Sequence, residues 1–416
     1  MRHEVDQDDV ALLELIQRRT FRYFWDFAHP VSGLARDRSD PRPGFDPDLV
    51  ATGASGFGIM TILVASERQW IKRKDATDRL LQMVRFLSNA SRYHGVFPHF
   101  LHGATGETIP FSSKDDGGDL VETSYLFAGL LSARQYFNRD NTEEGELRDR
   151  INALWEEVEW SWHTRDGSKV LYWHWSPNYD WSMDIEIRGW NECLITYVLA
   201  VSSPRYPITA DAYHCGWAEA PTFKNGKEFY GIRLPLGPDH GGPLCFAHYS
   251  FLGLDPRGLK DRYADYWEQN VNHTLINREH CIRNPNQFKG YGPECWGLTA
   301  SDDHLGYHVH APDHDLGVIS PTAALSSFPY TPQHSMRALQ HFYYGMGRKI
   351  WGDYGFIDAF SETCDWYARS HIGIDQGPII VMIENYRSGL LWNLFMSCSE
   401  VQSGLRLLGF ESPKLC

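Results

Sequence analysis

The sequence is short of positive charge. Its 39 Lys and Arg face 53 Asp and Glu, a formal charge of −14 over 416 residues. Binding a polyanion needs a dense basic surface, so nucleic acid is excluded as the main ligand. Long apolar runs are also missing. The longest, at 378–383, falls far below the roughly 18 residues that span a bilayer, so no membrane partner is expected. No apolar export segment follows Met1, and the expectation is a cytoplasmic chain as it stands. The 8 cysteines are scattered without C-x-x-C spacing and read as free, packed thiols. No G-x-G-x-x-G, P-loop, G-x-S-x-G or H-E-x-x-H element occurs. Dinucleotide, nucleotide-triphosphate, serine-hydrolase and zinc-protease chemistries lose their usual signatures with them.

Aromatic residues are the excess: 15 Trp, 21 Tyr and 22 Phe make up 14% of the chain. Part of this is core, and part suits sugar rings, because Trp and Tyr pair a flat apolar face with a polar edge. Hydrophobic residues at 42% and charged residues at 22% are ordinary globular usage. A chain of this length nears the limit of a single compact core. The alternative is one architecture that spreads its core around a ring, here a single domain over 1–416.

Six segments repeat one form, a Gly-, Pro- or acid-bearing loop followed by an apolar stretch rich in small residues: 46–67, 117–137, 188–203, 241–254, 320–332 and 376–395. A helix apolar on most faces is buried. Between them, 12–27, 75–90, 146–162, 259–276 and 335–346 carry apolar residues at i, i+3, i+4, i+7 with charge elsewhere, the pattern of helices with one wet face. The alternation predicts an all-α fold, an (α/α)6 barrel of six inner and about six outer helices. The outer partner after the third inner helix is missing from this pattern, because 204–241 is rich in Pro and Gly. The loops before the inner helices then share one mouth, where function is expected.

Three constellations fall at that mouth. In 114–125, Asp115, Asp119 and Glu122 surround a Gly-Gly pair, and Asp119 with Glu122 also fits a capping box. In 185–194, Glu186 and Glu192 flank Arg188, Trp190 and Asn191. A carboxyl walled by indole has its neutral form favoured, as a general acid requires. In 373–389, Asp375 and Gln376 precede the sixth helix, while Glu384, Asn385 and Arg387 interrupt it and read as a buried ion pair or as hydroxyl ligands. A loop with His308, His310, His314, Asp313 and Asp315 matches no familiar zinc spacing. No metal and no cofactor is expected.

Seven blocks, among them FRYFWDFAHPVSGLARDRS (21–39), DDGGDLVETSYLFAGLL (115–131), RGWNECLITYVLA (188–200) and GIDQGPIIVMIENYRSGLLW (373–392), resemble the bacterial glucoamylase-like family that includes the endo-β-1,2-glucanases, of the glycoside hydrolase family 144 type. The resemblance covers nearly the whole chain. It implies an (α/α)6 barrel and inverting hydrolysis of β-1,2-glucan, with Glu192 as general acid and Asp115 or Asp119 as candidate base. It also implies an exported protein, periplasmic if a signal has been removed.

The residues themselves fit that chemistry, since inversion needs one protonated carboxyl at the leaving oxygen and one ionised carboxylate activating water from the other face. Trp25, Tyr125, Trp190, Trp296 and Tyr386 are the candidates for stacking on glucose rings. Glu122, Arg188, Asn191, Gln376 and Glu384 are the candidates for contacts to hydroxyls. The expected partner is a neutral β-glucan or gluco-oligosaccharide. A transglycosylase or exo-acting enzyme on the same fold, a glycan-binding protein without catalysis and a terpene-cyclase-like enzyme are the alternatives.

Overall fold

The computed structural model describes residues 7–40 and 45–415, and it is rich in helices joined by short strand pairs. Buried helices fix where the loops converge. In α2 (Thr52–Glu67), which follows the outer helix α1 (Gln7–Trp25), every residue from Thr52 to Ser66 is buried. After α3 (Arg73–Asn89) comes α4 (Leu120–Tyr136), buried continuously from Leu120 to Ala133. These two inner helices touch backbone to backbone. A Cβ on Gly56 would stand 2.1 Å from the Tyr125 carbonyl oxygen, and one on Gly129 would stand 2.2 Å from that of Gly56. Any side chain at either position would force the helices apart.

Beyond α5 (Thr142–Glu156), the inner set continues with α6 (Leu194–Ser202) and the short α7 (Cys245–His248), which runs on into a 3-10 turn at Ser250–Leu252. After α8 (Tyr266–Arg283) follow α9 (Pro321–Leu325), α10 (Pro332–Gln340), the single turn α11 (Gly347–Ile350) and the inner helix α12 (Gly373–Arg387). The chain closes with α13 (Leu390–Met396) and α14 (Ser399–Leu407).

Inner contacts run in a circle: α2 on α4, α4 on α6, α6 on the turn after α7, α9 on α12 and α12 back on α2. The fourth and fifth members are joined by the Tyr330 hydroxyl, which donates to the Ala247 carbonyl (2.8 Å). Outside, α1 covers α12 and α2, α3 covers α2, α5 covers α4, α8 packs on α7 and α10 on α9. No helix among the described residues is long and apolar enough to cross a membrane.

Three segments depart from the sequence expectation. The stretch 376–395 is two helices, because Gly389 takes a left-handed φ of 73° after Ser388 and turns the chain. The fourth and fifth inner members are only 4 and 5 residues of α-helix, as their Gly, Ser and Pro content favours turns over helix. The missing outer partner of α6 comes from the far end of the chain: α14 packs on α6, while 204–241 supplies one π-helical turn at Ala212–Trp217 and short strands.

Candidate active site

The starts of the inner helices meet around an aromatic floor. Phe57 of α2, Tyr125 of α4 and Tyr249 beside α7 pack with ring centroids 5.2, 5.4 and 5.7 Å apart. Around this floor stand Glu122, Glu192 and Asp375, each from a different inner helix start. Tyr249 donates its hydroxyl to Asp375 Oδ1 (3.1 Å), and the Gly53 N–H of α2 donates to Glu122 Oε2 (2.6 Å). The capping box is therefore half formed. Asp119 caps α4, accepting from the N–H groups of Val121 and Glu122, but Glu122 turns away to the neighbouring helix.

Asp119 has no capacity left. Its Oδ1 takes those two N–H groups (3.0 and 2.9 Å) and the Trp173 indole N–H (3.0 Å), while Oδ2 faces His99 Nδ1 (3.2 Å) and His174 Nε2 (3.6 Å). Four hydrogen bonds meet the roughly four lone-pair sites of a carboxylate, and the His174 imidazole stands just beyond them. Burial opposes the charge, yet the two imidazoles outweigh it and hold Asp119 well below the usual carboxylate range. His99 is pushed up to about 9: burial works against its charge, and the carboxylates of Glu122 and Asp119 prevail. Burial and the neighbouring Asp119 raise Asp115 to about 6, and burial lifts Glu122 to about 7 against the pull of His99.

Glu192 precedes α6. Burial raises its pKa, opposed only by its own backbone N–H. Its backbone is pinned by the Ser250 hydroxyl, which donates to the Glu192 carbonyl (2.5 Å). Trp190, two residues earlier, does not line open space: its ring lies among Trp217, Phe223, Phe251 and Tyr266. It anchors the segment from behind.

Asp375 lies in the first turn of α12, the third inner helix along from α6 in either direction around the circle. Burial raises it to about 7, offset in part by hydrogen bonds from Asp358 and Tyr249. It is 1% exposed, and Oδ2 has no donor among the hydrogen bonds of the described residues. Next to it, the Asp302 N–H donates to Asp358 Oδ2 (2.7 Å), and the Asp302 carboxylate takes Arg38 (3.0 Å) and Ser370 (2.5 Å).

Of the residues named from sequence, Asp115, Asp119, Glu122, Tyr125 and Glu192 come to this mouth, while Gln376 is buried with its side-chain N–H on the Phe356 carbonyl (3.2 Å). Arg188 is exposed and pairs with Glu186 (2.7 Å), and Asn191 accepts the Cys193 N–H (2.9 Å). Four candidates sit elsewhere. Trp25 lines an outer groove with Glu14, Arg22 and Trp70, its ring under Arg79. Trp296 is fully buried in the core beneath α9 and α10. Tyr386 packs on Phe328 at the other end of α12, where Glu384 forms an ion pair with Arg68 rather than facing the mouth.

Sequence reasoning passed over His99, His174, Trp173, Tyr249, Tyr307 and Asp358. They come from loops remote in sequence, and no local spacing marks them. A hint lay in the alternation of Ala300–Val309, which forms a hairpin pairing Tyr307 directly with Asp302. Same-face neighbours in such a pair stand side by side, and Tyr307 is 45% exposed with its hydroxyl in the field of Asp375, Asp358 and Asp37. Phe111, 56% exposed, flanks His99 with ring centroids 4.4 Å apart.

Among the described residues, one group has metal-ligand geometry: Asp115, Asp119 and His174, whose ligand atoms all lie within 4.8 Å of one another. The histidine loop forms acid pairs instead, His308 with Asp303 (2.7 Å) and His280 with Asp315 (2.8 Å).

A family model described as "Putative glucoamylase" matches residues 184–399. The chain is 46% identical, over 96% of its own length, to an exo-β-1,2-glucooligosaccharide sophorohydrolase (non-reducing end) of Parabacteroides distasonis, and it spans 58% of that protein's length. A protein of Bacteroides uniformis described in the same words as the family superposes with a TM-score of 0.96 at 56% identity, covering 99% of this chain and 100% of the other. An endo-β-1,2-glucanase of Chitinophaga pinensis, solved with sophorotriose and glucose, gives a TM-score of 0.96 at 54% identity, again over 99% and 100%. With half of its residues inside the family model and full-length relatives above half identity, the chain belongs to this glucoamylase family.

Proposed function

We propose that the protein hydrolyses β-1,2-glucan or its oligosaccharides with inversion, in the mouth of an (α/α)6 barrel, and that it needs no metal. The observation that carries this reading is a pair of carboxyls on opposite members of the inner circle, half-buried Glu192 before α6 and fully buried Asp375 in α12, both with the neutral form favoured by desolvation. The sophorohydrolase and the endo-β-1,2-glucanase among its relatives act on the same linkage.

Glu192 is assigned as the general acid that protonates the leaving glycosidic oxygen. Its surroundings supply no cation to hold the carboxylate, so the proton stays until the oxygen takes it. The base is assigned to Asp375 rather than to Asp119 or Asp115. Asp119 has spent its lone pairs on four hydrogen bonds, and Asp115 stands beside it at His174 (3.4 Å), on the neighbouring α4 side of Glu192 rather than across the circle. Asp375 keeps two of its roughly four lone-pair sites for water, and inversion places acid and base on opposite faces of the sugar. The Asp119 cluster then serves as a rigid hydroxyl-binding wall, with protonated His99 as donor. Tyr307 and Phe111 provide the exposed ring surfaces at the rim.

Incubation with linear β-1,2-glucan and chromatography of the products tests the reading. Sophorose released from the start marks action at a chain end, and a ladder of longer oligosaccharides marks internal cleavage. No product from β-1,2-glucan, with turnover of another linkage, contradicts it.

A further inference from the structure

Asp358 has no role in the chemistry described so far, yet it is one of the most confined acids in the molecule. It lies in the loop before the strand Phe360–Ser361 and is 1% exposed. Its backbone is fixed on both sides, N–H to the Ser370 carbonyl (3.0 Å) and carbonyl to the Ser320 hydroxyl (2.7 Å). One side-chain oxygen, Oδ2, accepts the Asp302 N–H (2.7 Å). Among the described residues the other, Oδ1, meets no donor, and neither does Oδ2 of Asp375. The two carboxyls are in direct hydrogen-bonding contact with each other. Two neighbouring buried carboxyls, each with an oxygen that lacks a donor, favour a proton shared between them, since adjacent like charges do not readily both ionise.

We propose that Asp358 and Asp375 form a dyad sharing one proton, with Asp358 the carboxylic acid that donates its O–H to Asp375 Oδ2, and that Asp358 is thereby the positioning residue of the base. The role rests on Asp375 being the base; the dyad itself does not. Tyr249 holds the other oxygen of Asp375 (3.1 Å), so two neutral O–H donors fix the carboxylate plane and leave its remaining lone pairs for water. The surrounding charges favour this division. Arg38 is engaged by Asp37 and by Asp302 (3.0 Å each), so its pull on Asp375 is countered by the Asp302 carboxylate beside it, while Tyr307 and the Cys245 thiol add only neutral groups on the mouth side. Burial and the charge of Asp375 keep Asp358 well above the usual carboxylate range, and the bond from Asp358 draws Asp375 down.

The test uses Asp358→Asn and Asp358→Ala in the full chain with two readouts. In infrared difference spectra of the protein alone at pH 8, subtracting Asp358→Asn from wild type leaves a protonated-carboxyl C=O band. In the pH dependence of kcat/KM on β-1,2-gluco-oligosaccharides, removing the donor weakens the support of the Asp375 carboxylate. The acid limb of Asp358→Ala therefore moves to higher pH by about one unit or more, whereas Asp358→Asn, whose amide N–H still donates, stays within about half a unit of wild type. Absence of the infrared band overturns the dyad. A limb that moves to lower pH in both variants overturns it as well, because it means that Asp358 was ionised. A band together with an unmoved limb in Asp358→Ala keeps the shared proton but overturns the positioning role, and with it Asp375 as base. Asp358→Asn is isosteric and carries the infrared arm by itself if Asp358→Ala does not fold.

Discussion

Two buried carboxyls on the same helix have opposite fates. Glu384, near the end of α12, is gripped by Arg68 through Nε and through Nη2 (3.1 Å), and further by Gln17 (3.4 Å) and the Ser388 hydroxyl (2.5 Å). Asp375, in the first turn, has only a tyrosine and another acid as hydrogen-bonding neighbours among the described residues, and no cation in contact. Burial of a charged group is tolerated where it is fully paired and shifts the pKa where it is not. One helix thus carries a structural ion pair at its far end and, at the mouth, the carboxyl proposed to exchange a proton. The same contrast recurs within the mouth, between saturated Asp119 and under-coordinated Glu192 and Asp375.

The largest effects are expected where coordination is poorest. Glu192→Gln keeps the shape and loses the donated proton, and Asp375→Asn loses the acceptor. Each is expected to lower kcat by roughly 10²–10⁴-fold while leaving circular dichroism unchanged. A variant at either position that retains a third of wild-type kcat contradicts its role. Glu384→Gln is expected to reverse the pattern. Its kcat stays within about 3-fold of wild type, while the Arg68 guanidinium, left with Glu14 (3.4 Å) as its only carboxylate among the described residues, lowers stability by up to about 3 kcal/mol, read as a lower urea midpoint at constant slope. Loss of activity in folded Glu384→Gln erases the distinction between the two ends.

The smallest expected effect is in the pH dependence of stability. His99 is raised from an unfolded value near 6.5 to about 9. Its contribution is complete below about pH 6.5 and is lost as pH rises through about 9. The urea midpoint of wild type should fall across that window, and His99→Gln should flatten the fall. An equal slope in both proteins contradicts the His99 assignment.

The helical alternation was legible because burial on all faces and burial on one face leave different periodicities, as α2 and α3 illustrate. Asp119, Glu122 and Glu192 were legible because each sits beside a helix start that local residues announce. The lengths of α7 and α9 were not, since apolar Gly- and Pro-rich segments read alike as helix or turn. Trp296 and Trp25 show the limit for aromatics: a Trp in a core and a Trp at a mouth carry the same local signal. The role of Asp119 depended on His99, Trp173 and His174, and that of Asp375 on Asp358 and Tyr249. These partners are brought in by strand pairs such as Gly118 with Trp175 and Arg38 with Ile372, long-range pairings that no local window contains.

The central claim is that an acid on α6 and a base on α12 act from opposite sides of the bound sugar. Proton NMR of the first product released from β-1,2-glucan, recorded before mutarotation, tests it most directly. The account predicts the α-anomer at the newly formed reducing end. Initial release of the β-anomer would contradict it, because retention requires a carboxylate to attack the sugar itself from about 5–5.5 Å of its partner.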